Sequence, residues 1–251
     1  MAGKLEDHIE ELIQREKLEQ TMRYSLLVSQ VDPHFIYNTM NTITYLAGKG
    51  KNEDVIAVNR AMIEILRDRL RLEISDVYDT IEQEISVTKQ YLIIQAYRYE
   101  DTFKTKIDID ESIENCLIAK NIIQPLVENA LFHGILNNKD ENGEIIDGCV
   151  YISGKREGDT IILSVEDNGA GRSEEQLDEI INQPQGAIRG GQIGLRNIRE
   201  RIKYIDGESY NLEIESQMCS GTKVVIRLPA ALEKATKRGP CNRTDLFTIA
   251  N

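Results

Sequence analysis

Between Leu5 and Ala47 the chain contains no glycine and a single proline, Pro33. Leu5, Ile9, Leu12 and Ile13 form a thin apolar stripe among charges, and Tyr24, Leu27, Val31, Phe35 and Ile36 continue it. This spacing predicts one long amphipathic helix, in a coiled coil near its start. Gly48–Asn52 reads as a turn. A second helix follows, with Val55, Asn59, Met62, Leu66 and Arg69 along one strip and Ile56, Ile63 and Leu70 beside it. Two helices on a short loop make an antiparallel hairpin. Its interior is too small alone, so a dimeric four-helix bundle is expected. Thr80 with Gln83 predicts a capped helix running to Tyr97.

From Phe103 the period changes. Phe103–Ile109 alternates as a strand, and the apolar stretch Ile113–Ile135 is read as a helix. Cys149–Ser153 and Thr160–Val165 read as strands joined by a turn at Lys155–Asp159. Ile193–Ile205 reads as a helix, and Tyr210–Glu215 with Thr222–Leu228 as a closing hairpin. Strands interleaved with helices predict a two-layer α/β sandwich. The expected division is a helical domain over residues 1–100, an α/β domain over 101–230 and an unassigned tail over 231–251.

Composition narrows the function classes. In 251 residues, 41% are hydrophobic and 29% charged, enough apolar material for a folded core. The net charge of −12 argues against bulk attraction to nucleic acid or anionic membrane. A phosphorylated ligand would need local compensation by a metal ion, backbone N–H groups or a few basic residues. Cys116, Cys149, Cys219 and Cys241 show no metal-ligand spacing, which fits reduced thiols. No apolar run reaches the roughly 18–20 residues of a membrane span, and no signal peptide is visible. The charged helical pattern at the start suggests the cytoplasmic portion of a longer receptor.

Three segments carry chemistry. The first is Asp-Pro-His-Phe-Ile-Tyr-Asn, Asp32–Asn38. His34, Asn38 and Asn41 share one helix face. Pro33 removes an N–H and bends the helix, and Asp32 stands near enough to polarise the imidazole. Neutral imidazole is a good nucleophile near pH 7. The second is Gln124–Gly134, where Asn129 and His133 are i, i+4 neighbours and the Asn129 carbonyl suits Mg²⁺. The third is Asp167–Gly171, a carboxylate at a strand end followed by glycines that permit close backbone approach. Residues 172–192 have the composition of a lid, and Gly190–Leu195 opens a helix whose N–H groups can face phosphate. Taken singly, each segment also fits a structural part: a helix surface, a polar helix edge, a turn. No Gly-x-x-x-x-Gly-Lys-Ser/Thr loop is present, which excludes a P-loop enzyme.

In this order and spacing, the segments resemble sensor histidine kinases of the LytS/YesM type over about Gln30–Pro229. Asp32–Asn41 resembles that family's phosphoacceptor motif, Gln124–Gly134 its N box, Asp167–Gly171 its first glycine box and Gly190–Leu195 its second. The resemblance implies a Bergerat-type (GHKL) ATP-binding fold behind a helical dimerisation domain. It implies that His34 accepts the γ-phosphate of ATP, assisted by Asp32 and Asn38, and that Asn129 holds Mg²⁺. His133 would stand near the phosphates. Asp167 would bind the adenine amine in a pocket shaped by Gly169, Gly171 and Thr222, and Gly191, Gly194 and Leu195 would flank the phosphates. A homodimer, an upstream transmembrane sensor region and transfer to the aspartate of a response regulator receiver domain are implied as well. Gln192 stands where the family often has glycine, and Phe35 stands directly after His34 in place of an acid. The rival readings are a GHKL-type ATPase that hydrolyses ATP without using His34, and a degenerate kinase serving as a dimeric scaffold.

Overall fold

The computed structural model describes residues 33–69, 78–100, 102–177, 193–207 and 210–231. The chain divides into two compact units, Met1–Leu72 and Glu73–Asn251. The helix that begins after Thr80 lies in the second of these units, on the N-terminal side of the expected domain boundary near residue 101.

In the first unit, α1 (Pro33–Gly48) and α2 (Asn52–Arg69) are joined by a turn in which Gly50 has φ +71°. Lys51 N–H donates to Leu46 C=O at 3.0 Å and closes that turn. Leu46, Val58, Ala61, Met62 and Ile65 are buried, as are Thr39 and Thr42. Each threonine hydroxyl donates to a carbonyl one turn back, Phe35 at 2.8 Å and Asn38 at 3.0 Å, so its burial leaves no hydroxyl orphaned. The α2 stripe differs from the one expected. Val58, Ala61, Met62 and Ile65 face inward, whereas Asn59, Ile56 and Ile63 are exposed. Apolar residues occupy more of the helix circumference than one partner helix can cover.

In the second unit, β1 (Tyr78–Thr80) precedes α3 (Ile81–Arg98), capped by Thr80, whose hydroxyl accepts from Gln83 N–H at 3.2 Å. β2 (Phe103–Ile109), β4 (Gly148–Glu157), β5 (Thr160–Asp167), β7 (Gly221–Pro229) and β6 (Leu212–Gln217) form one sheet in the order β2-β4-β5-β7-β6. β2 pairs parallel to β4 and the remaining pairs are antiparallel. Period-2 alternation puts Ile161, Leu163 and Val165 on one face, level with Val150, Ile152, Val224, Ile226 and Leu228. This face is covered by α4 (Ile123–Asn129) and by α5 (Ile193–Asp206), and α3 packs against α4. The two-layer α/β sandwich is thus present, with its core between sheet and helices.

The expected single helix over Ile113–Ile135 is several short pieces. A 3₁₀ turn at Glu111–Ile113 leads to β3 (Leu117–Ala119), which pairs antiparallel with β1. Then come α4, a π-helical turn at Ala130–Gly134 and a 3₁₀ turn at Ile135–Asn137. Apolar isoleucines and leucines run through the segment without a strict helical period, and buried strands and buried helices look alike in such runs. Pro125 sits in the first turn of α4, where its missing N–H costs nothing. Strand β4 also runs to Glu157, which shortens the expected turn to Gly158–Asp159.

Candidate functional site

Asp167 extends the inward column Ile161, Leu163, Val165 by one step, so pleat alternation alone sends a carboxylate into a core position. It is 5% exposed. Gly169 N–H donates to its Oδ1 at 2.9 Å, and Thr222, its cross-strand partner, also donates a backbone N–H. Burial raises its pKa to about 6, against the opposing pull of those two N–H groups and of Arg172.

The floor of the site is closed by backbone contacts that tolerate no side chain. A Cβ on Gly134 would strike the Asp167 carboxylate, and one on Gly169 would strike the Gly134 backbone. With both as glycine, Ala170 N–H reaches Gly134 C=O at 3.1 Å and ties the loop after β5 to the end of the π-helical turn. Gly171 has φ +65° and lies against Gln217 C=O, a conformation and an approach that both require glycine. Cys219 N–H donates to Ala170 C=O at 2.7 Å, and Arg172 N–H donates to Ser216 Oγ at 2.9 Å. Ser216 Oγ lies 2.8 Å from Thr222 Oγ1. On the other side, Asn168 Oδ1 accepts from Cys149 N–H at 2.6 Å.

Asn129 and His133 stand on α4 and the π-helical turn, both half-buried. Asn129 Nδ2 donates to Pro125 C=O at 2.8 Å, which fixes the amide and leaves Oδ1 out of that hydrogen bond. His133 is held toward its neutral form, first by burial and then by the nearby Arg172 cation. A π-helical turn widens the backbone spiral and is often found at working sites. The structure thus brings Asn129, His133, Asp167, Gly169, Gly171 and Thr222 into one unit. Leu195 is buried in α5, where Gly194 also lies. Asp32 and Gly191 fall outside the described residues, as do most of the expected lid and the tail.

His34 is exposed on α1 in the first unit. Asn38 Nδ2 lies 3.0 Å from its Nε2 and 3.2 Å from its Nδ1, so the amide faces the ring edge between the two nitrogens. The i, i+4 relation read from the sequence is a physical contact.

Sequence reasoning missed Gly134 as a packing partner of Asp167, and it missed Asn168 and Ser216 as the stitches of the loop. Gly134 closes the second motif and carried a signal. Ser216 carried none, because only the β6–β7 register brings it beside Thr222.

Comparison with known proteins bears on the same residues. The family model described as "Histidine kinase" matches residues 22–103, and that described as "Histidine kinase-, DNA gyrase B-, and HSP90-like ATPase" matches residues 117–232. The sensor histidine kinase YesM of Bacillus subtilis is 31% identical over 234 residues, covering 93% of this chain and 38% of YesM. The sensor histidine kinase YpdA of Escherichia coli is 31% identical over 206 residues, covering 81% of this chain and 33% of YpdA. The sensor protein LytS of Bacillus cereus is 27% identical over 215 residues, covering 85% of this chain and 35% of LytS. The chain thus spans little more than a third of the length of these relatives. With the two models following one another along the chain and YesM aligned across nearly all of it, the chain belongs to the sensor histidine kinases of the LytS/YesM type.

Proposed function

We propose that this chain uses ATP to phosphorylate its own His34 and passes the phosphoryl group to an aspartate in a response regulator receiver domain. The observation that carries the reading is Asp167, a carboxylate in a core position at a strand end, walled by glycine backbone. A protein keeps a buried carboxylate there at a cost, and recognition of an exocyclic amine is a use that offsets it. Its two oxygens have roughly four acceptor sites, of which two backbone N–H groups take only part. The residues present therefore fit an adenine nucleotide. Gly169, Gly171 and Thr222 shape the pocket.

The donor set also fits Mg²⁺, which when bound neutralises charge on the triphosphate oxygens. Among the described residues no three His, Cys, Asp or Glu side chains come together to hold a metal. A hard cation would thus take amide and phosphate oxygens, and Asn129 offers Oδ1 in a fixed orientation. Neutral His133 and the Arg172 cation supply polar and positive groups beside the phosphates without adding negative charge. Gly191, Gly194 and Leu195 would border them at the start of α5.

In the chemical step, a lone-pair nitrogen of His34 attacks the γ-phosphorus. The N–P bond forms, the bond to the β-phosphate oxygen breaks and ADP leaves. Asn38 orients the ring, and Asp32 is positioned in sequence to accept its proton. In the second step the regulator's carboxylate attacks phosphorus, the N–P bond breaks, the ring takes back the proton it gave up in the first step and the neutral imidazole returns. We further infer a homodimer through the exposed apolar face of the hairpin and a membrane-anchored sensor region upstream. No helix among the described residues is long and apolar enough to cross a membrane.

Incubation with γ-labelled ATP tests the reading. The expected result is acid-labile, base-stable label that disappears in His34→Ala. Label that persists in that variant would remove His34 from its role, and release of free phosphate at an equal rate by both proteins would favour the ATPase reading.

A further inference from the structure

The helix that presents Asn129 is not capped by its own chain neighbour. Ile122 occupies the cap position of α4 and has no side-chain acceptor. The first amides of a helix lack internal partners, and burying them unpaired is costly. Here the partner comes from α3. The Glu84 carboxylate accepts from Asn121 N–H at 2.6 Å, Ile122 N–H at 3.1 Å and Ile123 N–H at 3.3 Å. Glu84 is 8% exposed. Asn121 has φ +60° and Ile122 lies in the αR region, a succession that turns successive N–H groups to one side and forms an anion cradle. Arg201 on α5 is close enough that the Glu84 charge favours its protonated form against the effect of burial.

The π-helical turn that follows α4 is also held, by the residue that ends α3. The Tyr99 ring, directly after the helix, meets the Phe132 ring edge-on at 6.3 Å and 73°. α3 and the residue that ends it therefore hold the Asn129 and His133 segment at its start and near its finish.

We propose that Glu84 is a positioning residue for the metal–phosphate half of the nucleotide site, acting through the α4 amides on Asn129. This inference rests on the kinase reading above. It separates two halves of the site: Asp167 on β5 would hold the adenine independently of Glu84, whereas Asn129 would depend on it.

The test is calorimetry of ADP binding to the full chain with Mg²⁺ and, separately, with EDTA. Glu84→Gln keeps the side-chain volume and removes the charge. In that variant the EDTA affinity stays within about twofold of the parent, while the gain on adding Mg²⁺ shrinks by about tenfold, as for other supports of metal ligands. Exposed Glu82→Gln, two residues away on the same helix, leaves both values unchanged. If Glu84→Gln does not fold, Glu84→Asp, shorter by one methylene, is read the same way. Equal losses with and without Mg²⁺ would reduce Glu84 to a general structural role and overturn the inference, as would an unaltered Mg²⁺ gain. A parent protein that binds ADP under neither condition would remove the nucleotide reading itself, and this inference with it.

Discussion

The hairpin unit and the sheet unit solve opposite problems. The hairpin exposes the proposed nucleophile: His34 stands in solvent with the Asn38 amide across its ring edge. The sheet unit hides its own: Asp167 occupies a place where Ile161, Leu163 and Val165 set an apolar rule. A nucleophile must be reachable by two successive partners, whereas a recognition carboxylate gains strength from low dielectric. The two units differ in how they are stabilised as well. The sheet unit buries a continuous apolar layer. The hairpin buries one strip and leaves Tyr37, Met40, Tyr45, Ile56 and Ile63 at 44% exposure or more.

The largest expected effect breaks the hairpin side of this contrast. In a symmetric dimer Ile63 is counted twice, and burying each copy is worth about 1.5–3 kcal/mol. Ile63→Glu should therefore weaken self-association by about a thousandfold, near 4 kcal/mol. Sedimentation should show half the mass at micromolar protein, with ADP affinity of the sheet unit unchanged. An unaltered mass would mean that this apolar face does not pair two copies.

The next effect sharpens the sheet side. Asp167→Asn keeps an acceptor for Gly169 and Thr222 but loses the charge. A charge-assisted hydrogen bond is worth about 1.5–3 kcal/mol, so nucleotide affinity should fall by about 10- to 100-fold. Stability should move the other way. The folded protein binds the Asp167 proton more tightly than the unfolded chain does, with a pKa of about 6 against 3.8. Stability therefore falls as pH rises between those values, by about 3 kcal/mol in all. At pH 7 the variant should melt above the parent, and the gap should close as pH drops from 6 towards 4. Denaturant melts across that range give the answer, and a variant less stable at pH 7 would contradict the burial argument.

The same contrast explains what could be read without coordinates. Asp167 was legible because strand alternation and the following glycines are local signals. The His34–Asn38 pair was legible because four residues make one helical turn. Glu84 was not, since its partners lie 37 to 39 residues away and nothing local marks a helix carboxylate as a cap for another helix. The run Ile113–Ile135 misled because apolarity without a period does not separate strand from helix, although Pro125 did mark where α4 begins. The α2 strip was misplaced by about one position because several apolar stripes compete there, and only packing against α1 chooses among them.

The smallest effect returns to the exposed His34. Asn38→Ala removes one N–H donor from the His34 ring edge. A net hydrogen bond is worth about 0.5–1.5 kcal/mol, and solvent replaces an exposed one cheaply, so the lower end applies. Labelling of His34 should slow by about two- to threefold. The KM for ATP should not change, because the proposed nucleotide site is built from residues of the second unit, Asn129 and Asp167 among them. A raised KM with unchanged maximal rate would assign Asn38 to nucleotide binding instead. A labelling rate equal to that of the parent would mean that the ring finds its attacking orientation without the amide, leaving the helix backbone of α1 to set it.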